Sequence, residues 1–164
     1  MKIGVLSDTH GTVPQQVFTF FKDCDELWHA GDLGADVLEQ LKAFKPVVAV
    51  YGNIDDQRIR FEAPRLQLFV RERHKILMTH IGGYPGRYDR NILHIIEQER
   101  PFIFVCGHSH ILRVMYDRQH QLLHINPGAA GRQGFHKVAT LVRFTLEDKP
   151  KDMQILDFPK IPAN

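Results

Sequence analysis

The stretch KIGVLSDTHG, residues 2–11, joins an apolar run to a polar turn and decides the fold class. Its continuous apolar part, residues 2–7, predicts a buried β-strand. The polar part supplies Asp8 and His10 where that strand ends, and Gly11 permits a tight turn after them. A strand that ends in a carboxylate and an imidazole is typical of open α/β sheets, in which ligands bind at the carboxyl ends of the strands.

The first two thirds of the chain repeat this strand pattern, with helices in between. Apolar runs predict further strands at 26–30, 46–51, 66–71, 75–79 and 102–106. Helical spacing of apolar residues predicts helices at 13–24, 35–44 and 88–99. Buried strands that alternate with amphipathic helices favour a parallel sheet whose faces are covered.

After residue 110 the pattern changes to strands alone, at 112–117, 121–126, 137–146 and 153–158. Alternating strand and helix units followed by a run of strands predict two sheets packed face to face, with helices outside. A length of 164 residues and the lack of any linker predict a single domain over 1–164. The terminal IPAN is expected to fray.

The composition is that of an average globular protein, with 43% hydrophobic and 24% charged residues. The net charge of +2 and the lack of a basic patch argue against a nucleic-acid partner. The sequence offers no leader pattern and no apolar run long enough for a bilayer, so we expect a cytoplasmic protein without membrane contact. Cys24 and Cys106 are expected to be reduced and buried.

Further polar side chains end the other apolar runs. They lie in the strings AGD (30–32), YGN (51–53) and CGHSH (106–110) and at the end of KILMTH (75–80). Carboxylate, imidazole and amide groups are the ligands that divalent metals prefer. The resulting candidate metal ligands are Asp8, His10, Asp32, Asn53, His80, His108 and His110.

Seven ligands exceed what one metal with an open position needs. They suit two metals that share a bridging carboxylate and lie about 3.5–4 Å apart. Such a pair polarises phosphoryl oxygens and produces hydroxide from a bridging water at neutral pH. The predicted reaction is hydrolysis of a phosphate ester by in-line attack of this hydroxide.

In motif order, D-x-H, GD, GN, a lone His, G-H-x-H and an NPG loop at 126–128, the chain resembles the calcineurin-like metallophosphoesterases. The resemblance covers almost the whole chain and is nearest to their small single-domain bacterial and archaeal phosphodiesterase branch. It implies an α/β fold, a four-layer α/β/β/α sandwich with two mixed β-sheets. It also implies two divalent ions, with manganese the first expectation and nickel, iron or zinc as alternatives.

The resemblance further implies how the ligands are shared. Four of them would hold the first metal, namely Asp8, His10, Asp32 and His110. Asp32 would bridge to the second metal, which Asn53, His80 and His108 complete.

One position departs from the family pattern. Many members have G-N-H-[DE], whose histidine protonates the leaving group or steadies the phosphoryl oxygens, whereas this chain has GNID with Ile54 in that place. Isoleucine cannot donate a proton, and general acid catalysis typically contributes about 10²–10⁴-fold. We therefore predict a diesterase that is faster on aryl diesters than on alkyl monoesters. Asp55 is a candidate for a supporting role.

Substrate-binding candidates are Arg87, Asn126 and Arg132, because arginine forks bind phosphate and the NPG loop lies near the motifs. His29 is expected to support the ligands rather than to bind metal, and His124 and His136 flank the NPG loop. The expected partner is a small phosphodiester substrate, and assembly of identical subunits stays open.

Three other functions remain as alternatives. The first is a catalytically weak or inactive scaffold, as in the metallophosphoesterase-like subunit of the retromer sorting complex. The second is a phosphomonoesterase. The third is a nuclease, which the lack of a basic stripe disfavours.

Overall fold

The computed structural model describes residues 1–160, so the fraying predicted for IPAN at 161–164 lies outside the described residues. The described residues form the strands β1 (Lys2–Leu6), β2 (Glu26–His29), β3 (Val47–Ala49), β4 (Leu66–Arg71), β5 (His74–Thr79), β6 (Gly83–Tyr84), β7 (Arg87–Tyr88), β8 (Ile103–Val105), β9 (Leu112–Asp117), β10 (Leu122–Pro127), β11 (Val138–Leu146) and β12 (Pro150–Pro159). The helices are α1 (Gln15–Phe20), α2 (Val37–Phe44), α3 (Gln57–Glu62) and α4 (Arg90–Glu99).

Two five-stranded mixed sheets form the centre of the molecule. The first has the order β12-β11-β1-β2-β3. Strands β1, β2 and β3 are parallel to one another, β11 is antiparallel to β1, and β12 is antiparallel to β11. The second has the order β4-β5-β8-β10-β9, with β5, β8 and β10 parallel and an antiparallel strand at each edge. Strand β11 pairs with β1, so the first sheet joins residues from both ends of the chain.

The sheets pack face to face through a core that includes Val5, Trp28, Ile76 and Val105, all fully buried. Helices α1, α2 and α3 cover the outer face of the first sheet, where Leu6 of β1 packs with apolar residues of all three. Helix α4 covers the second sheet through Ile92 and Ile96. The predicted four-layer α/β/β/α sandwich is thereby confirmed.

Gly4, in strand β1, lets the end of α1 pack close to the sheet. A Cβ atom there would lie 2.7 Å from the ring of Phe21 and 2.8 Å from the Leu27 side chain, so a larger residue would displace these side chains. The close packing lies beside the strand that precedes Asp8.

Some boundaries and small elements differ from the sequence-based prediction. Helix α1 is shorter than the predicted 13–24, because Pro14 has an extended backbone and the chain leaves helical geometry after Phe20. Helix α3 and the β6–β7 hairpin were not predicted, since six-residue and two-residue segments carry no measurable periodicity. Among residues 1–160, none of the helices has the length and apolar character that crossing a membrane requires.

Candidate metal centre

The predicted ligands meet at one edge of the sandwich, each just beyond the carboxyl end of a strand. From the first sheet come Asp8 and His10 after β1, Asp32 after β2 and Asn53 after β3. From the second sheet come His80 after β5 and the pair His108 and His110 after β8. The structure brings all seven predicted side chains together, and both sheets contribute to the cluster.

One group of donors surrounds Asp8 Oδ1. This oxygen lies 3.1 Å from His110 Nε2 and 3.8 Å from His10 Nε2. Asp32 Oδ2 lies 3.6 Å from the same His10 nitrogen. Donor atoms of Asp8, His10 and His110 all fall within 4.8 Å of one another, a spacing suited to a single ion.

A second group of donors is formed by Asp8, Asp32 and His80, whose donor atoms also fall within 4.8 Å of one another. Asp32 Oδ2 is 3.3 Å from His80 Nε2, and Asn53 Oδ1 is 3.1 Å from that same nitrogen. Asn53 Oδ1 is also 3.1 Å from His108 Nδ1. Asp32 Oδ2 therefore lies within reach of histidines of both groups, as a bridging carboxylate oxygen would.

The donor set fits divalent cations. Asp8 Oδ1 and His10 Nε2 are buried and have no hydrogen-bond partner, which is costly unless a bound ion satisfies them. The His80 ring has Nδ1 2.7 Å from the carbonyl oxygen of Ala30, and such a bond to the second ring nitrogen orients a metal-ligating histidine, here with Nε2 facing Asp32 and Asn53.

The electrostatic field of the site favours bound cations. Burial raises the pKa of Asp8, but the close imidazole of His110 and the charge of His80 outweigh it, so the net pKa is lowered. Burial likewise opposes ionisation of Asp32, and the bonds from His80 and from the Ile54 N–H outweigh it and lower the pKa. Two ionised carboxylates therefore lie side by side at neutral pH.

The net pKa shifts of two imidazoles beside these carboxylates have opposite directions. Burial lowers the pKa of His10 and prevails over the nearby charges of Asp32 and Asp8. For His80 burial also lowers the pKa, but the hydrogen bond to Asp32 and the charges of Asp8 and Asp32 outweigh it, so the net pKa is raised. The two carboxylates thus favour the protonated form of His80, whereas burial favours the neutral form of His10.

Five of the seven candidate ligands have left-handed backbone conformations. The φ angles are 55° at Asp8, 47° at His10, 53° at Asp32, 69° at His108 and 60° at His110. Such conformations cost a non-glycine residue free energy and cluster at functional sites. They turn each side chain out of the strand direction and into the cluster.

Two glycines leave the space that the ligands occupy. A Cβ at Gly52 would lie 2.1 Å from Asp32 Oδ1, and one at Gly31 would lie 2.7 Å from the His80 ring. Gly31 also has a φ of 96°, which other residues rarely adopt. A side chain at either motif glycine would therefore occupy the space of a neighbouring candidate ligand.

Asp55 holds two ligand loops together. Its carboxylate accepts hydrogen bonds from Gly52 N at 2.8 Å, Gly34 N at 2.9 Å and Leu33 N at 3.1 Å. The last two follow Asp32, and Gly52 precedes Asn53. The buried Asp55 is therefore a positioning residue, which gives physical content to the predicted supporting role.

His29 and Thr9 form a buried layer behind the ligands. Gly31 N donates to His29 Nδ1 at 3.2 Å, which leaves the other ring nitrogen, 2.9 Å from Thr9 Oγ1, as the donor. The Thr9 hydroxyl donates to Leu33 O at 2.8 Å. Burial lowers the pKa of His29 to about 3, so the ring stays neutral. Sequence reasoning missed Thr9, and its place between Asp8 and His10 was the one available signal.

The three substrate-binding candidates lie on different segments of the chain, Arg87 on β7, Asn126 on β10 and Arg132 on the loop before β11. Asn126 is buried. Its amide nitrogen donates to Gly107 O and Ser109 Oγ, and its amide oxygen accepts from Gly128 N. Arg87 is exposed on β7. Arg132 is exposed beside a cavity of about 230 Å³ between the start of α1 and the end of β12.

The histidines that flank the NPG loop do not reach the ligands. His124 is fully buried among Tyr88 and Phe104, and its pKa is lowered to about 4 by burial and by the charge of Arg113. His136 is exposed on the loop before β11.

The centre opens to solvent on one side. Asp8, Asp32 and His80 form a buried floor, whereas Asn53 and His108 are exposed at the rim. Two cavities adjoin this rim. One, of about 220 Å³, includes His108 and Ile81, and the other, of about 200 Å³, includes Asn53, His80 and Ile81. A molecule bound at the centre therefore has space on two sides.

The sequence is also similar to known proteins. The family model for the calcineurin-like phosphoesterase superfamily domain matches residues 1–149. A probable metallophosphoesterase of the archaeon Methanothermobacter thermautotrophicus is 32% identical over 137 residues, which are 79% of this chain and 77% of that protein.

Solved structures share the fold at lower identity. A structure described as a novel archaeal phosphodiesterase is 22% identical, with a TM-score of 0.77 over 96% of this chain and 100% of that one. Vps29 of Entamoeba histolytica, solved as a zinc complex, is 20% identical, with a TM-score of 0.73 over 100% of this chain and 95% of that one. At these identities the likeness establishes the architecture alone.

Proposed function

The chain belongs to the calcineurin-like phosphoesterase superfamily, and from that premise we propose that it is a phosphodiesterase that works with two divalent metal ions. Manganese is the first metal to test, with nickel, iron and zinc as alternatives, because mixed oxygen and nitrogen ligands do not select among them. The substrate in this proposal is a small phosphodiester.

The observation that carries the proposal is the position of Asp32. Its Oδ2 lies 3.6 Å from His10 Nε2 and 3.3 Å from His80 Nε2, and these two histidines belong to different donor groups. Its Oδ1 accepts a hydrogen bond from Ile54 N at 3.0 Å, which fixes the carboxylate plane. A carboxylate held in this way between two sets of ligands is suited to serve both.

When bound, divalent ions would polarise phosphoryl oxygens and lower the pKa of a coordinated water. The chain's own residues hold the ligands in place for that chemistry. The carbonyl of Ala30 orients His80, and the carboxylate of Asp55 ties the loops of Asp32 and Asn53 together. Little reorganisation is then needed when substrate arrives.

Preference for an ester with a good leaving group rests on the surroundings of Ile54, and preference for a diester rests on the two cavities. Its side chain is 47% exposed beside the centre and offers no proton to a leaving oxygen. Substrates whose leaving group departs as a stable anion, such as aryl esters, depend least on that proton. The two cavities beside the rim give space for the two organic substituents that distinguish a diester from a monoester.

The direct test compares two chromogenic substrates on the manganese-loaded protein. We expect bis(4-nitrophenyl) phosphate to be hydrolysed with a higher kcat/KM than 4-nitrophenyl phosphate. Asp32→Asn removes one negative charge from the shared ligand, so we expect the diester rate to fall by about 10²-fold or more. Steady-state release of 4-nitrophenolate measures both effects.

Asp36→Asn is the matched control, since Asp36 is an exposed aspartate in the same loop with a similar left-handed backbone. Its rate should stay within about twofold of the wild type, as is usual for a surface substitution. Equal or faster turnover of the monoester would overturn the diester preference. Absence of hydrolysis with all four metals, despite measured metal binding, would overturn the catalytic proposal.

A protein-binding scaffold is the second candidate, and one observation favours it. Three exposed isoleucines lie around the open side of the centre, with 47% of Ile54, 46% of Ile81 and 47% of Ile111 accessible. Exposed apolar residues that cluster in this way also mark interaction surfaces. Metal binding without hydrolysis of any diester would support this function.

A further inference from the structure

The cavity beside His108 is otherwise lined by residues that are not candidate metal ligands. It lies between the β6–β7 hairpin and the loop that carries the second sheet's ligands, with Ile81, Tyr84, Ile111 and Arg113 around it. Its volume is about 220 Å³. Pockets for whole drug-sized ligands are about 300–1,000 Å³, so this one suits a single ring system.

Tyr84 and Arg113 form a stacked pair at this wall. The guanidinium carbon of Arg113 lies 4.1 Å from the centre of the Tyr84 ring. Among the described residues no carboxylate lies within ion-pair distance of Arg113, so its N–H donors are not committed to a charge partner. Flat guanidinium and phenol groups together present a surface on which another planar ring stacks.

The remaining walls are apolar or already hydrogen-bonded. Ile81 and Ile111 are 46% and 47% exposed, although large aliphatic side chains are more often buried. Asn126 donates to Ser109 Oγ at 3.1 Å, and Ile111 N donates to the same oxygen at 3.2 Å. Ser109 therefore accepts both bonds and keeps its own proton for a ligand atom.

His108 connects the cavity to the candidate metal centre. The residue lines the cavity, and its Nδ1 lies 3.1 Å from Asn53 Oδ1 inside the cluster. A group attached to a phosphoryl bound at the cluster could therefore enter the cavity directly. An anion alone would leave the isoleucine walls uncovered, whereas a planar ring would cover them.

We propose that this cavity is the subsite for a planar aromatic or heterocyclic substituent of the phosphodiester substrate, and that Tyr84 and Arg113 select for it. The proposal rests on the phosphodiesterase function proposed above. It narrows the substrate class to diesters that carry an aryl group or a nucleobase, and it makes Tyr84 and Arg113 specificity-determining residues.

Binding of two phosphonates to the manganese-loaded protein tests the proposal without turnover. Phenylphosphonate and methylphosphonate carry the same anionic group, and only the first has a ring. By isothermal titration calorimetry we expect the phenyl compound to bind about tenfold more tightly. In Tyr84→Ala this preference should fall by roughly 3- to 10-fold, with the methylphosphonate affinity unchanged.

Matched variants distinguish a loss of ring binding in the cavity from a general effect of substituting an exposed tyrosine or arginine. Tyr84→Phe keeps the ring and should keep the preference, and Tyr116→Ala removes an exposed tyrosine of the neighbouring β9 and should leave it unchanged. Arg113→Gln should lower the preference, whereas Arg118→Gln, at an exposed arginine beyond the same strand, should not.

Equal binding of the two phosphonates to the wild type, binding of neither, or a preference that survives Tyr84→Ala would overturn the subsite. These results are distinct from failure of the proposed function. Ring-selective binding in a protein that hydrolyses no diester would retain the subsite and overturn the phosphodiesterase. Diester hydrolysis without ring-selective binding would retain the phosphodiesterase and overturn the subsite.

Discussion

At the scale of single residues, the identity of the candidate ligands could be predicted from sequence but their backbone conformation could not. The strings around Asp8 and His10 indicate which side chains end the strand. Their left-handed φ angles of 55° and 47° depend on neighbouring loops, such as the bond from His10 N to Asp32 O at 3.0 Å. Sequence therefore indicates the chemistry of a site more readily than the strain within it.

This strain predicts an unusual order of stability for glycine and alanine variants. His10→Gly should be more stable than His10→Ala by about 1 kcal/mol in the presence of EDTA, because glycine adopts a left-handed φ without steric cost. Urea unfolding of the metal-free proteins measures the difference. His80, whose φ is not left-handed, is the control, and there we expect alanine to be the more stable variant. The same order at both positions would contradict the strain.

At the scale of elements, the long strands could be predicted and the short connecting elements could not. β11 and α4 have nine and ten residues, which suffice for a periodic pattern. α3 has only six residues, and its N-cap is Asp56, whose side chain accepts a hydrogen bond from Ile59 N. The β6–β7 hairpin, which carries Tyr84, has two residues in each strand. The proposed ring subsite thus depends on an element that periodicity could not detect.

Asp55 and Asp56 are adjacent in the loop before α3, and we expect their asparagine variants to differ in metal affinity. Asp55→Asn replaces one of two acceptor oxygens with a donor, so it breaks at least one of the backbone bonds that hold the Asp32 and Asn53 loops. We expect the affinity for Mn²⁺ to fall by about 10–100-fold. Competition with a fluorescent chelator measures it.

Asp56→Asn is the control for this experiment. Asparagine caps a helix about as well as aspartate, so the variant should bind Mn²⁺ like the wild type. Equal losses in both variants would contradict the positioning role of Asp55.

At the scale of the whole molecule, the centre spans the two sheets. Asp8 and Asp32 come from the first sheet, and His80, His108 and His110 come from the second. The sandwich could be predicted from sequence, because strand–helix units precede a run of strands and the motifs follow one another in order. The distances between ligands could not, because they depend on how the two sheets are aligned.

A cluster shared by both sheets predicts that metal binding stabilises the fold. At a free Mn²⁺ concentration of 100 times Kd, the free energy of unfolding should rise by about 2.7 kcal/mol per ion that binds only the folded state. Thermal unfolding with Mn²⁺ and with EDTA measures the shift. Asp32→Asn should lose most of it, and an equal Tm in both buffers would contradict metal binding at this site.

The pairing of β1 with β11 has a consequence for synthesis of the chain. Lys2 lies opposite Thr145, so β1 is made long before β11, the strand that covers its second edge. Contacts between such distant residues slow folding and leave strand edges open to aggregation. The nascent protein therefore depends on late translation to protect the strand that carries Asp8 and His10, and chaperone demand should be greatest just before residue 138 emerges.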